Sequence, residues 1–188
     1  MNTTKLFCGL LLTATLGIGC KPRVRAISDA VVEKNPDGTT TVTNRRLGVA
    51  LAAPEKTDTA ASPSPNEMRL SWWTAGGFQY LSVKTPDKQT PMTPDDLKID
   101  LELSGSSVRI LETQDSDGGG FNVTFSYRNK KFEQIGGHYS VKAVGDKKIV
   151  CTYTSSYAPS VREAKSICDS IQPYEAPAVA AKTPSGKL

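Results

Sequence analysis

At 188 residues, with 23 Lys+Arg against 19 Asp+Glu and a single His, the chain has the length of one domain plus extensions and a net charge of +4. That charge is too mild to argue for a nucleic-acid partner, and one His excludes multi-histidine metal centres. Fifteen Gly, twelve Pro and a 38% hydrophobic share gathered in separate clusters exclude collagen and a long coiled coil and argue against a fully disordered chain.

The first element in chain order is an address. Lys5 precedes an apolar run from Leu6 to Ile18 that contains Leu10, Leu11, Leu12 and Leu16. As a helix this run spans about 20 Å, short of the roughly 30 Å hydrocarbon core of a bilayer. A charged start, a short apolar core and small residues at its end predict a signal peptide over residues 1–19 rather than a membrane span. The run closes on Leu16-Gly17-Ile18-Gly19-Cys20. This segment resembles the lipobox of bacterial lipoproteins, with Gly19 and Cys20 at its two most demanding positions; Leu16 stands one place early and Ile18 is larger than usual there. The resemblance implies cleavage before Cys20, acylation of that residue and a membrane partner reached through the lipid. Lys21 rather than Asp after the Cys favours the outer over the inner membrane by the enteric rule.

Residues 20–26 read as a lipidated tether carrying Lys21, Arg23 and Arg25, and residues 27–172 as one folded domain. Ile27 to Glu33 and Thr40 to Leu51 flank Asn35-Pro36-Asp37-Gly38, which predicts a hairpin of two strands. Residues 53–66, rich in Pro, Ala, Ser and Thr, read as a long loop. Met68, Leu70 and Trp72 alternate on one face of a strand, and after Gly76-Gly77 the run Phe78, Tyr80, Leu81, Val83 forms a second hairpin with it. At Thr93-Pro94-Asp95-Asp96 a capping Thr, a Pro at the first helical position and two acids predict a helix that stops at Gly105. Leu97, Ile99, Leu101 and Leu103 repeat with period two, which argues for a strand; the caps are taken to prevail.

Ser107–Gln114, Phe121–Tyr127, His138–Val144 and Lys147–Thr154 read as four strands joined by Gly-containing turns. Pro159–Ile171 is a helix whose apolar stripe is Val161, Ala164, Ile167, Cys168 and Ile171. Residues 173–188 read as a disordered tail. Two hairpins, a helix, four strands and a helix predict an α+β fold, an antiparallel β-sheet with helices packed on it, in one domain. From about Thr40 to Gln172 this order resembles the PsbP-like sandwich seen in exported bacterial lipoproteins. The resemblance rests on Leu47-Gly48-Val49, the Gly-rich hairpin and the ending Ile149-Val150-Cys151…Ile167-Cys168-Asp169-Ser170-Ile171. It implies a binding or assembly role rather than catalysis.

Four Cys are present: Cys8, Cys20, Cys151 and Cys168. With Cys8 in the signal peptide and Cys20 taking lipid, Cys151 on a strand and Cys168 on a helix remain as a pair in an oxidising compartment, and are expected to form a structural disulfide. The pair lacks the Cys-x-x-Cys spacing of a redox motif. Asp115-x-Asp117-Gly118 is a fragment of a calcium loop without the later oxygen ligands, and reads as a hairpin turn. His138 could act as a base, but no Gly-x-Ser-x-Gly or other nucleophile motif accompanies it. Trp73 shares a strand face with Arg69 and Ser71; it is either covered by a helix or exposed as a partner contact. No cofactor or metal is expected, and no enzymatic activity. The favoured expectation is a lipid-anchored, non-enzymatic binding or assembly module of the cell envelope, with another envelope protein as partner. An immunity or inhibitor lipoprotein directed at a toxin or lytic enzyme is the alternative, and an exported hydrolase using His138 the less favoured one.

Overall fold

A computed structural model of the chain describes residues 29–36, 39–62 and 64–175. The expectations for the signal peptide, Cys20, the tether and residues 176–188 lie outside the described residues.

Chain order runs β1 (Ala30–Lys34), β2 (Thr40–Asn44), β3 (Val49–Ala53), β4 (Asp58–Ala60), β5 (Glu67–Thr74), β6 (Gly77–Lys84), α1 (Pro94–Ser104), β7 (Ser106–Ser116), β8 (Gly120–Arg128), β9 (Gln134–Val144), β10 (Lys147–Ser155), α2 (Ala158–Asp169) and β11 (Gln172–Pro173). The strands form two sheets, one ordered β1-β2-β3-β11 and the other β4-β5-β6-β10-β9-β8-β7. Every pairing is antiparallel.

This corrects the α+β expectation. The fold is mostly β: 53% of the described residues lie in strands of two antiparallel sheets, and the described residues form only two short helices. One face of the large sheet is covered by a second sheet as well as by a helix. Strands not expected from the sequence occur in three places. The run from Thr40 to Leu51 is two strands, because the chain reverses between Asn44 and Gly48. There the Asn44 side chain accepts from the Leu47 N–H at 3.0 Å, its carbonyl accepts from the Gly48 N–H at 2.9 Å, and Gly48 takes φ +74°, a conformation that suits a residue without Cβ. Within residues 53–66, Asp58–Ala60 adds an edge strand to β5. The stretch from 173, expected as tail, begins in β11, which pairs Gln172 with Ala50 and Pro173 with Val49, and the Tyr174 N–H donates to the Gly48 carbonyl at 2.9 Å.

Alternation along the strands of the large sheet divides the apolar residues between two cores. On one face, Met68, Leu70, Trp72, Leu81, Val83, Ile149, Cys151 and Tyr153 pack against Val42, Leu47, Val49 and Leu51 of the small sheet and against Val161, Ala164, Ile167 and Cys168 of α2. On the other face, Phe121, Val123, Phe125, Tyr139, Val141 and Val150 pack against Leu97 and Leu101 of α1. The outer face of β5 and β6 carries no such layer among the described residues.

The helices form where their caps direct. Thr93 Oγ1 accepts from the Asp96 N–H at 3.1 Å, and the Gly105 N–H donates to the Leu101 carbonyl at 3.0 Å. The period-two apolar pattern splits: Leu97 and Leu101, four apart, are buried, whereas Ile99 and Leu103 face solvent. The end of α2 is held by Lys142 of β9, whose ammonium donates to the Asp169 carbonyl at 2.6 Å and more weakly to those of Cys168 and Ile171, meeting the negative end of the helix.

Candidate functional site

Trp72 and Trp73 are consecutive, so the pleat sends them to opposite faces. Trp72 is buried, stacked on Tyr153 with ring centroids 5.7 Å apart, and its indole N–H donates to Glu163 of α2 at 2.7 Å. Trp73 is 72% exposed, which resolves the choice left by the sequence: no helix covers it. It stands directly across from Phe78 in the register of β5 and β6, and Tyr80 follows two residues along on the same face. The Trp73 and Phe78 rings lie 5.2 Å apart, and Phe78 meets Tyr80 edge-on at 4.6 Å. Three half- to fully exposed aromatic side chains therefore form one continuous patch.

The hairpin tip that carries the patch is braced. Thr74 Oγ1 accepts from the Gly76 N–H at 3.1 Å and donates to the Gly77 carbonyl, to which the Gln79 amide also donates at 3.0 Å. Gly76 lies against the ring of Tyr157, the residue capping α2, so closely that a Cβ there would come within 2.3 Å of ring carbon. Only glycine allows that approach, and it ties the tip to the helix. Beside the patch, a shallow cavity of about 580 Å³ runs past Tyr80, Ser82, Arg69, Thr152 and Ala60. At its floor Glu67 accepts from Arg69 at 2.9 Å, Ser82 at 2.7 Å and Ser62 at 3.2 Å. Burial raises the Glu67 pKa, but these donors and the Arg69 charge together hold it below the usual carboxylate range.

The other sequence-derived candidates sit elsewhere. Cys151 of β10 and Cys168 of α2 are joined in a disulfide with Cα atoms 5.7 Å apart, and both are fully buried in the core under α2. His138 is not at a strand end but midway along β9, with no exposed surface. Its Nδ1 lies 3.3 Å from Thr124 Oγ1, while Nε2 and the neighbouring Ser140 hydroxyl are buried without a partner. Burial pushes the imidazole down to about 4, with Asp169 opposing and Lys165 adding to the effect, so it is neutral at physiological pH. Asp115 and Ser116 belong to β7 and pair with Phe121 and Gly120 across a hairpin turn. Phe78 and Tyr80, which complete the aromatic patch, were not singled out from sequence. Their spacing two apart on the strand that pairs with Trp73 was the available signal.

No protein-family model matches the chain, and no curated protein does. Among solved structures it is similar to the solution structure of cyanobacterial PsbP (CyanoP) from Synechocystis sp. PCC 6803. The identity is 16%, the match covers 84% of this chain and 99% of that chain, and the TM-score is 0.40, a weak PsbP-like resemblance. Among the described residues, no helix is long and apolar enough to cross a membrane.

Proposed function

We propose that the protein is an exported, lipid-anchored binding module of the cell envelope that acts on another envelope protein without catalysis, and that Trp73, Phe78 and Tyr80 form its contact surface. The observation that carries this reading is the aromatic patch. Trp and Tyr are over-represented among residues that dominate interface energies, and here three rings lie side by side, outside any core, on a hairpin tip that is already ordered. Pre-ordering removes part of the entropy cost of binding. The rings are tilted or edge-on to one another, which suits an irregular protein surface better than a flat ligand. The anchor rests on Gly19-Cys20 after a short apolar run. The non-enzymatic part is supported by the burial of His138, which leaves its ring unable to meet a substrate, and by the oxidised, buried state of Cys151 and Cys168.

The test compares wild type with Trp73→Ala in cross-linking and pull-down from detergent-solubilised envelope. A partner recovered with wild type should be lost from Trp73→Ala, with an affinity loss of about 2 kcal/mol or more once the partner is purified. Equal recovery by the two proteins would remove the patch as the contact surface.

A further inference from the structure

A second concavity, of about 770 Å³, lies on the opposite side of the large sheet, where β7 and β8 extend past the first turn of α2. Its size falls within the range of about 300–1,000 Å³ typical of small-molecule sites. Arg109 of β7, Arg128 at the end of β8 and Arg162 of α2 all line it, and no Asp or Glu does. Among the described residues two other arginines are paired, whereas Arg45 is not. Arg46 pairs with Asp29 at 2.9 Å and Arg69 with Glu67 at 2.9 Å. Among the described residues the side chains of Arg109, Arg128 and Arg162 have neither an ion pair nor a hydrogen-bond partner, and all three residues are exposed around one groove. Three guanidinium groups around one hollow repel each other, an arrangement relieved by a bound anion.

Residues 1–28 and 176–188 contain no Asp or Glu side chain and do contain Lys and Arg. The lining also includes apolar residues: Leu111, which is 62% exposed, and Pro159 and Val161 of α2. An exposed Leu beside unpaired arginines fits a ligand with a charged head and attached hydrocarbon. Guanidinium groups match the oxygens of phosphate in bidentate geometry, and several of them are needed to balance a group that carries more than one negative charge.

We propose that this groove binds the phosphate group of a ligand, held by Arg109, Arg128 and Arg162, with any attached hydrocarbon lying against Leu111, Pro159 and Val161. The site stands apart from the aromatic patch, and either can be right without the other.

The test uses the full chain and three water-soluble probes: dihexanoylphosphatidic acid below its micelle concentration, glycerol phosphate, and dihexanoylphosphatidylcholine as the net-neutral control. The phosphatidic acid should bind at least about tenfold more tightly than the phosphatidylcholine, with an affinity that falls as salt is added. The triple variant Arg109→Ala/Arg128→Ala/Arg162→Ala should lose at least tenfold in that affinity. The variant Lys88→Ala/Lys98→Ala/Lys147→Ala, which removes the same charge from exposed positions outside the groove, should keep it. Glycerol phosphate binding as tightly as phosphatidic acid would assign a free phosphate ester as the ligand; tighter binding of phosphatidic acid would assign a lipid headgroup. Phosphatidic acid binding no better than phosphatidylcholine, or a triple arginine variant within twofold of wild type while its melting temperature is unchanged, would overturn the proposal.

Discussion

At the scale of single residues, one pleat sends the two tryptophans to opposite faces, Trp72 into the core and Trp73 into solvent. Trp72→Ala removes a buried indole, its stacking on Tyr153 and its bond to Glu163, and should cost about 3–5 kcal/mol and lower the melting temperature by roughly 10 °C or more. Trp73→Ala removes an exposed ring and should change stability by less than about 0.5–1 kcal/mol. Thermal melting of the two variants side by side checks both, and a large loss from Trp73→Ala would mean that the patch is structural. His138 supplies a pH dependence with a definite sign. Its folded pKa of about 4 lies below the ordinary 6.5, so the unfolded chain binds the proton more readily. The stability due to the neutral buried ring is complete above about pH 6.5 and is lost as the pH falls toward about 4. At pH 5 the loss should reach about 2 kcal/mol relative to pH 7.5. His138→Leu has no proton to take up, so urea unfolding of wild type and variant at the two pH values should show the wild type losing about that much more. Parallel losses in the two proteins would show that the ring does not titrate as buried.

Elements obey a balance between local signals and what the core accepts, and this decides how much was legible from sequence. In α1 the capping Thr93 and Pro94 outweighed an alternating apolar run, because the buried pair Leu97 and Leu101 satisfies helical spacing while Ile99 and Leu103 are left to solvent. Thr93→Ala should therefore cost about 1 kcal/mol, read by chemical denaturation, with little effect if the cap bond is dispensable. The strands β5, β6, β8, β9 and β10 and the helix α2 were readable because each carries an apolar period that the core buries; β7, almost wholly exposed, was readable from its β-branched run and its turn. β4 and β11, of three and two residues, carry none, and the split between β2 and β3 depends on an Asn side chain folding back on its own turn. Those three features build the small sheet and the edge of the large one, which is why the expected cover by helices alone was wrong. The disulfide was legible because a strand and a helix packed on it place two Cα atoms at bridging distance. It closes a loop of 17 residues' separation, so Cys151→Ala/Cys168→Ala should lose about 3 kcal/mol. Reducing conditions should bring wild-type stability down toward that of the variant, whereas identical unfolding midpoints of oxidised wild type and variant would argue that the bridge contributes nothing.

For the whole molecule, two cores on opposite faces of one sheet leave the outer face of β5 and β6 and the far end of β7 and β8 uncovered, and these are where the aromatic patch and the arginine groove lie. Of these surfaces only Trp73 was a candidate from sequence; the rest of the patch and the arginine groove depend on which residues of separate elements become neighbours. Both would work near a membrane if the chain is anchored there. Between Cys20 and Ala30 lie nine residues, which at full extension reach about 30 Å, so an acylated Cys20 would keep both surfaces within a few tens of ångströms of the bilayer. An anchor at Cys20 would be separable from the fold: both cores and the disulfide lie within the described residues that start at Asp29. Cys20→Ser should therefore abolish labelling by radioactive palmitate and move the protein from the membrane pellet to the soluble fraction, while purified protein keeps its disulfide and its melting temperature. Since each buried CH₂ of a lipid chain contributes about 0.8 kcal/mol, loss of the acyl chains should produce nearly complete release rather than a partial shift. If Cys20→Ser still incorporates palmitate and sediments with membranes, the lipid anchor does not lie at Cys20, and the placement of the two surfaces beside the bilayer falls with it.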